Sequence, residues 1–271
     1  MKRLLGLYRE TQYSPGRHRS NDVLLLDEIA QRLREREFAV DLRSLTEANG
    51  CCGSEAALVF SMCQGRSALE SLVEWERKGV RIINSPRAAL NTHRDRLSAV
   101  MVEAGVPFPP TRLVGTTGSA DLHAFNLNGG VWLKRGDVHA SVSSDVQWVD
   151  SPERVDAGLA EFSKRGIAVA AVQAHHAGDE IKFYRIADGS FFHWFYSGEA
   201  RKYPFDLATL ESLAHDAAAA AGLDIFGGDV IVSPAGELTL IDLNDWPSFA
   251  PCRERAADAI ANFITKRVYA D

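Results

Sequence analysis

The sequence predicts an α/β protein made of two or three compact units, and three observations point there. Over residues 1–90, short apolar runs alternate with amphipathic stretches of helical period, the pattern of strands and helices wound into a small parallel sheet. Toward the C-terminus, two apolar runs are joined by Pro234-Ala-Gly236, which reads as a β-hairpin. The length, 271 residues, exceeds what one core usually serves, since domains run to about 100–150 residues.

In chain order, a strand is expected near Arg3 to Tyr8, then a polar loop over residues 11–22. Leu25, Leu26, Ile29 and Leu33 fall on one side of a helix from Val23 to Arg36. Ala57 to Phe60 and Val80 to Ile83 read as buried strands around a helix from Ala68 to Lys78. This first unit, residues 1–90, has no G-x-G-x-x-G turn and so no dinucleotide signature. A loop at Asn84-Ser-Pro-Arg87 leads to a helix from Thr92 to Ala104, closed by Gly105 and by Pro107, Pro109 and Pro110. The second unit, residues 91–172, holds strands at Thr111 to Val114, Val131 to Lys134 and Val146 to Val149, a helix from Pro152 to Arg165, and a strand from Ile167 to Gln173. The third, residues 173–271, holds strands at Ile181 to Ile186 and Phe191 to Tyr196, an Ala-rich helix from Leu207 to Ala221, the hairpin, and a helix from Arg253 to Arg267.

Composition narrows the function. Net charge is −6 with no basic tract, which argues against nucleic acid as a partner. No run nears the ~20 apolar residues of a membrane helix, and Arg9 and Glu10 end the short apolar start before it could serve as a leader. Cys51, Cys52, Cys63 and Cys252 lack C-x-x-C spacing, so a zinc site is not expected and a reducing cytoplasm fits best.

The hairpin carries the chemistry. Asp229 on its first strand and Asp242 and Asn244 on its second can share one sheet face, because residues two apart point the same way. Such an oxygen cluster suits Mg²⁺, which takes one or two carboxylates and completes its octahedron with water and phosphate. An Asp, a turn, then acid-x-Asn is similar to the metal hairpin of the ATP-grasp superfamily, of the glutathione synthetase and D-alanine:D-alanine ligase type. Asn244-Asp-Trp-Pro-Ser-Phe-Ala-Pro-Cys-Arg253 also resembles a string found in a group of bacterial ATP-grasp proteins. The resemblance covers roughly Asn84 to the end.

It implies roles for other residues in the same order along the chain. Lys134, ending the run Val131-Trp-Leu133, stands where these enzymes place a lysine on the α- and β-phosphates. The loop Arg135-Gly-Asp-Val-His-Ala-Ser141 stands where a glycine-rich loop closes over the γ-phosphate, with His139 in place of a small residue. Gln173, Ala174 and His175 resemble the hinge whose backbone reads adenine; Glu180, with Lys182 beyond it, matches the acid on the ribose hydroxyls. Arg96 stands where a first phosphate-binding lysine is usual, although an exposed helix arginine would read the same. Arg201 and Lys202 suit neutralisation of a transferred phosphoryl group. Arg17, His18, Arg66, Arg201 and Arg253 are candidates for gripping substrate carboxylates.

The resemblance therefore implies an α/β N-terminal domain followed by two α+β subdomains that clamp ATP, with Mg²⁺, or Mn²⁺ in its place. The implied activity is ADP-forming ligation of a carboxylate to an amine, on small-molecule or peptide substrates, by a cytoplasmic enzyme compatible with a homodimer. A kinase acting on a hydroxyl, or a nucleotide-binding module without turnover, would use the same nucleotide site.

Overall fold

The computed structural model of the protein describes residues 1–14, 16–48, 55–118, 125, 127–140, 142–199 and 201–270, with the backbone alone at 17–19 and 128. Three four-stranded sheets organise the chain. The first is parallel, in the order β2-β1-β3-β4, from β1 (Arg3–Leu7), β2 (Ala39–Arg43), β3 (Leu58–Ser61) and β4 (Ile82–Ile83). Alternate residues of β1 face opposite ways, so both faces must be covered. Leu4 packs with Leu25, Ile29 and Leu33 of α1 (Arg17–Glu35) and with the closing helix α8 (Arg253–Tyr269). Leu5 and Leu7 pack with Leu69 and Leu72 of α3 (Arg66–Arg77).

Three boundaries differ from expectation. Helix α1 begins at Arg17, inside the expected loop, because the sequence Arg17-His-Arg-Ser-Asn-Asp22 carries no apolar period to announce it. Strand β2 was not expected; it is a five-residue edge strand with one buried position, followed by the single-turn helix α2 (Leu45–Ala48). The helix expected from Thr92 is α5 (Arg94–Glu103), and a further helix not expected, α4 (Pro86–Asn91), precedes it, with a break at Thr92-His93 between the two.

The second sheet is antiparallel, in the order β5-β8-β6-β7: β5 (Thr111–Gly115), β6 (Val131–Arg135), β7 (Val146–Val149) and β8 (Val169–Ala174). Val131, Leu133 and Val172 meet Val155, Leu159 and Phe162 of α6 (Pro152–Lys164), so Trp132 and Lys134, at the alternate positions, project from the other face. The third sheet, also antiparallel, runs β10-β9-β11-β12: β9 (Asp179–Ile186), β10 (Phe192–Tyr196), β11 (Ile225–Val232) and β12 (Leu238–Asp245). One face buries Ile181, Phe183, Val230, Leu240 and Leu243 against α5 and α7 (Leu207–Ala221). Gly222, at φ 81°, closes α7 in the left-handed conformation that suits glycine. Among the described residues no helix is long and apolar enough to cross a membrane.

Asn84 joins the first sheet to the third. Its amide donates to the Ile225 carbonyl at 2.6 Å and to Asp245, and its carbonyl accepts from the N–H groups of Asp224 and Ile225, both at 2.8 Å. Burial pushes the Asp245 carboxyl up to about 7, so this joint is held by a polar group that water does not reach. Asn84→Ala is expected to cost about 3 kcal/mol in urea denaturation, because it strands several buried partners at once.

Candidate active site

The uncovered faces of the second and third sheets meet across a narrow cleft. Lys134, on β6, is 6% exposed; its ammonium donates to Gln173 Oε1 at 2.6 Å on β8 and reaches across to the Ile241 carbonyl on β12 at 3.3 Å. Burial draws its pKa down to about 8, against the pull of Asp242. Lys134 remains largely charged at neutral pH, in a place costly for a charge.

Asp242 lies opposite Asp229 in the hairpin register, and a β-bulge follows Asp229, so Ile241 is the extra residue that turns the strand toward the cleft. The Asp242 carboxylate accepts from Arg94 Nη2 at 2.5 Å and from the Leu243 N–H at 3.2 Å. Burial alone would raise its pKa; Arg94 and Lys134 overcome that and hold it at about 2. Asp229 pairs in register with Lys182 as well, and Lys182 Nζ is 2.8 Å from Asp229 Oδ1 and 2.9 Å from Glu180 Oε1. Burial raises the Asp229 pKa despite that lysine. Asn244, two residues beyond Asp242, has no side-chain hydrogen bond among the described residues.

Helix α5 supplies Arg94 to the cleft, where Arg96 was expected; Arg96 is exposed. Residues two apart on a helix lie on nearly opposite sides, so the two arginines cannot share a role. The stripe of Leu97 and Met101 already marks the buried side of α5, and Arg94, three before Leu97, belongs to it. Arg94 Nε is buried without a hydrogen-bond partner, so the guanidinium keeps donor capacity beyond Asp242.

The loop after β6 turns inward. His139 is buried, with Nε2 3.0 Å from Thr92 Oγ1. The Thr92 hydroxyl donates to the Ala89 carbonyl at 2.7 Å, so His139 is the donor in the Thr92 contact. Neighbouring His93 places Nε2 3.0 Å from the Gln64 carbonyl and must donate likewise. Burial lowers the two pKa values to about 3 and about 4. Both imidazoles are therefore neutral packing elements that fix the base of the loop, and His139 does not line the cleft. Ser141 lies outside the described residues.

At the end of β8, the Ala174 N–H donates to the Pro110 carbonyl at 2.9 Å. His175 is exposed and takes the Trp132 indole N–H on Nδ1 at 3.3 Å. Arg201 and Lys202 are exposed on a loop held by Asp179, whose carboxylate accepts from the N–H groups of Arg201 at 2.8 Å and Tyr203 at 2.9 Å. Of the carboxylate-binding candidates, Arg66 pairs with Asp95 at 2.5 Å and Arg253 Nη2 donates to Asn21 at 2.7 Å, and neither lines the cleft of Lys134 and Asp242. The side chains of Arg17 and His18 lie outside the described residues, as do Cys51 and Cys52.

The fold has counterparts among solved structures. A D-alanine–D-alanine ligase from Bacillus anthracis complexed with ATP superposes with a TM-score of 0.77 at 10% identity, over 99% of this chain and 97% of that one. The chain has the ATP-grasp fold. A RimK domain ATP-grasp protein from Sphaerobacter thermophilus shares it at TM-score 0.71 and 16% identity, over 96% and 98% of the two chains. The ATP-grasp ligase PsnB, complexed with a minimal precursor, does so at TM-score 0.63 and 16% identity, over 98% and 99%. No protein-family model matches the sequence and no curated protein sequence does. Identities this low speak for the ATP-grasp fold alone; the chemistry must come from the residues.

Proposed function

We propose that the protein is an ATP-dependent ligase that joins a carboxylate to an amine through an acylphosphate and releases ADP and phosphate. The observation that carries this reading is the convergence of Lys134, Arg94 and Asp242 on one cleft between two sheets, with a hinge peptide at its end. Three titratable groups from three elements, gathered where water is scarce, suit the binding of a polyphosphate. The layout that goes with it is an N-terminal domain over residues 1–90 and two subdomains over 91–172 and 173–271, which hold ATP between them. The cleft encloses only about 10 Å³, no more than a water, so the nucleotide enters as the sheets part and the Lys134 contact to Ile241 gives way.

In this reading Lys134 and Arg94 hold phosphates, and the Ala174 carbonyl and the peptides after it hold the base. Arg201 and Lys202, on the loop pinned by Asp179, offset charge on the group in flight. A substrate carboxylate oxygen attacks the terminal phosphorus, the bond to ADP breaks, and the amine then displaces phosphate from the acyl carbon. Asp242 and Asn244 fit Mg²⁺, or Mn²⁺ in its place, as oxygen donors two apart on one face; Asp242 would share its carboxylate between the ion and Arg94, as Asp229 would between the ion and Lys182. When bound, that ion would neutralise charge between the terminal phosphates.

Hydroxylamine tests the proposal. Given ATP, Mg²⁺, a pool of carboxylic acids and no amine, the enzyme should accumulate a hydroxamate along with ADP and phosphate, since an acylphosphate is open to any small nucleophile. A phosphate ester inert to hydroxylamine would mean a kinase, and nucleotide binding without ADP release a module. AMP and pyrophosphate would sink the mechanism.

A further inference from the structure

Lys182, Asp229 and Asp242 stand in one row across β9, β11 and β12, each directly opposite the next in register. Glu180, two residues before Lys182, projects from the same face and reaches its ammonium at 2.9 Å. Arg94 closes the far end of the row at 2.5 Å from Asp242. Lys134, from the opposing sheet, feels Asp242, Asp229 and Glu180. The carboxylates Glu180, Asp229 and Asp242 are thus matched by the cations Lys182, Arg94 and Lys134. A site balanced in this way has little attraction for a free divalent ion, whose affinity tracks the charge of its ligands.

Building on the nucleotide reading above, we infer that the Lys182 ammonium is the resident cation of this site. It fills the place between Glu180 and Asp229 that a divalent ion would need, so the chain takes one metal ion, on Asp242 and Asn244, and only together with the nucleotide's phosphates. Chemistry favours a lysine here. A fixed ammonium donates up to three hydrogen bonds, two of which go to the carboxylates, leaving one for a phosphate oxygen. Its position is set by the β9–β11 register, not by a loop, so it is in place before the nucleotide arrives.

Counting bound Mn²⁺ by its electron paramagnetic resonance signal tests this without reference to turnover. With Mn²⁺ alone, the wild-type chain should bind none below millimolar concentration; with Mn²⁺ and a non-hydrolysable ATP analogue, it should bind one per chain. Lys182→Met, which leaves Glu180 and Asp229 unpaired, should gain at least ~10-fold in affinity for Mn²⁺ alone, or bind a second ion in the ternary complex. Lys182→Arg should keep the wild-type count. Two ions per wild-type chain alongside the analogue, or a Lys182→Met protein that is folded by circular dichroism yet gains nothing, would overturn the inference and leave the nucleotide reading standing. If Lys182→Met does not fold, the wild-type count still decides. Failure of the analogue to bind the wild-type chain would remove the nucleotide reading and this inference with it.

Discussion

Asp242→Asn is expected to lower Mg²⁺-dependent turnover about 10³-fold and to destabilise the fold by about 3–5 kcal/mol. The first effect follows, on the proposed function, from removing a preorganised charge where the phosphoryl group would be transferred, since single groups at such sites are worth ~10²–10³ in rate. The second follows from Arg94, which is 6% exposed and would be left with a buried charge and no counter-ion. Arg94→Met should cost about as much, and the double variant should recover part of the loss, since the pair is then removed as a unit. Urea denaturation of the two single variants and the double variant gives the comparison. The pH dependence has a fixed sign. With the folded carboxyl at about 2, below an unfolded value near ~3.9, the stabilisation from this group is complete above about pH 4 and is lost as pH falls toward 2. That acid limb, about 2–3 kcal/mol, should be missing from Asp242→Asn. Equal stability of wild type and variant at pH 7 would show that Arg94 finds another partner.

Much of this site could be read before the fold was seen, for physical reasons that also mark where reading stopped. Strand periodicity fixes sidedness, so Asp242 and Asn244 could be placed on one face from the sequence alone. The register that sets Asp229 beside Lys182 depends on which strands pair, and β9 is separated from β11 by a helix and another strand; no local signal carries that. Arg96 was placed by the resemblance, where the apolar side of α5 would have selected Arg94. His139 in the phosphate loop invited a chemical role, yet its ring is buried against Thr92, a contact across 47 positions of sequence. Strand β2 escaped because an edge strand with a single buried residue has almost no period to detect. The core under α1, by contrast, was visible from helical spacing, since Leu25, Leu26, Ile29 and Leu33 form one continuous stripe.

Lys134→Met should separate function from stability. Loss of a charge-assisted phosphate contact in a sheltered cleft is expected to weaken ATP binding by about 2–3 kcal/mol, roughly 30- to 150-fold, in calorimetric titration. The fold should lose little, because a buried ammonium is costly to hold and a methionine of similar length occupies the same channel between Gln173 and Ile241. The linkage has the same sign as that of Asp242, since both pKa values are depressed on folding, but here the charged form is the one that folding penalises. A lysine at about 8 in the folded chain and near ~10.4 when unfolded opposes folding while it is charged, and the penalty is relieved as pH rises from 8 to 10. Wild type should therefore gain up to about 3 kcal/mol across that window relative to Lys134→Met, which has no group to titrate there. ATP affinity should move the other way, falling as pH passes 8 and the ammonium loses its proton, whereas Lys134→Arg should bind with no such fall. Stability rising while affinity falls, both through the same pH range and both absent in the methionine variant, is a signature that a surface lysine could not give. An affinity for ATP that is flat from pH 7 to 10 in the wild-type chain would place the phosphates elsewhere in the molecule.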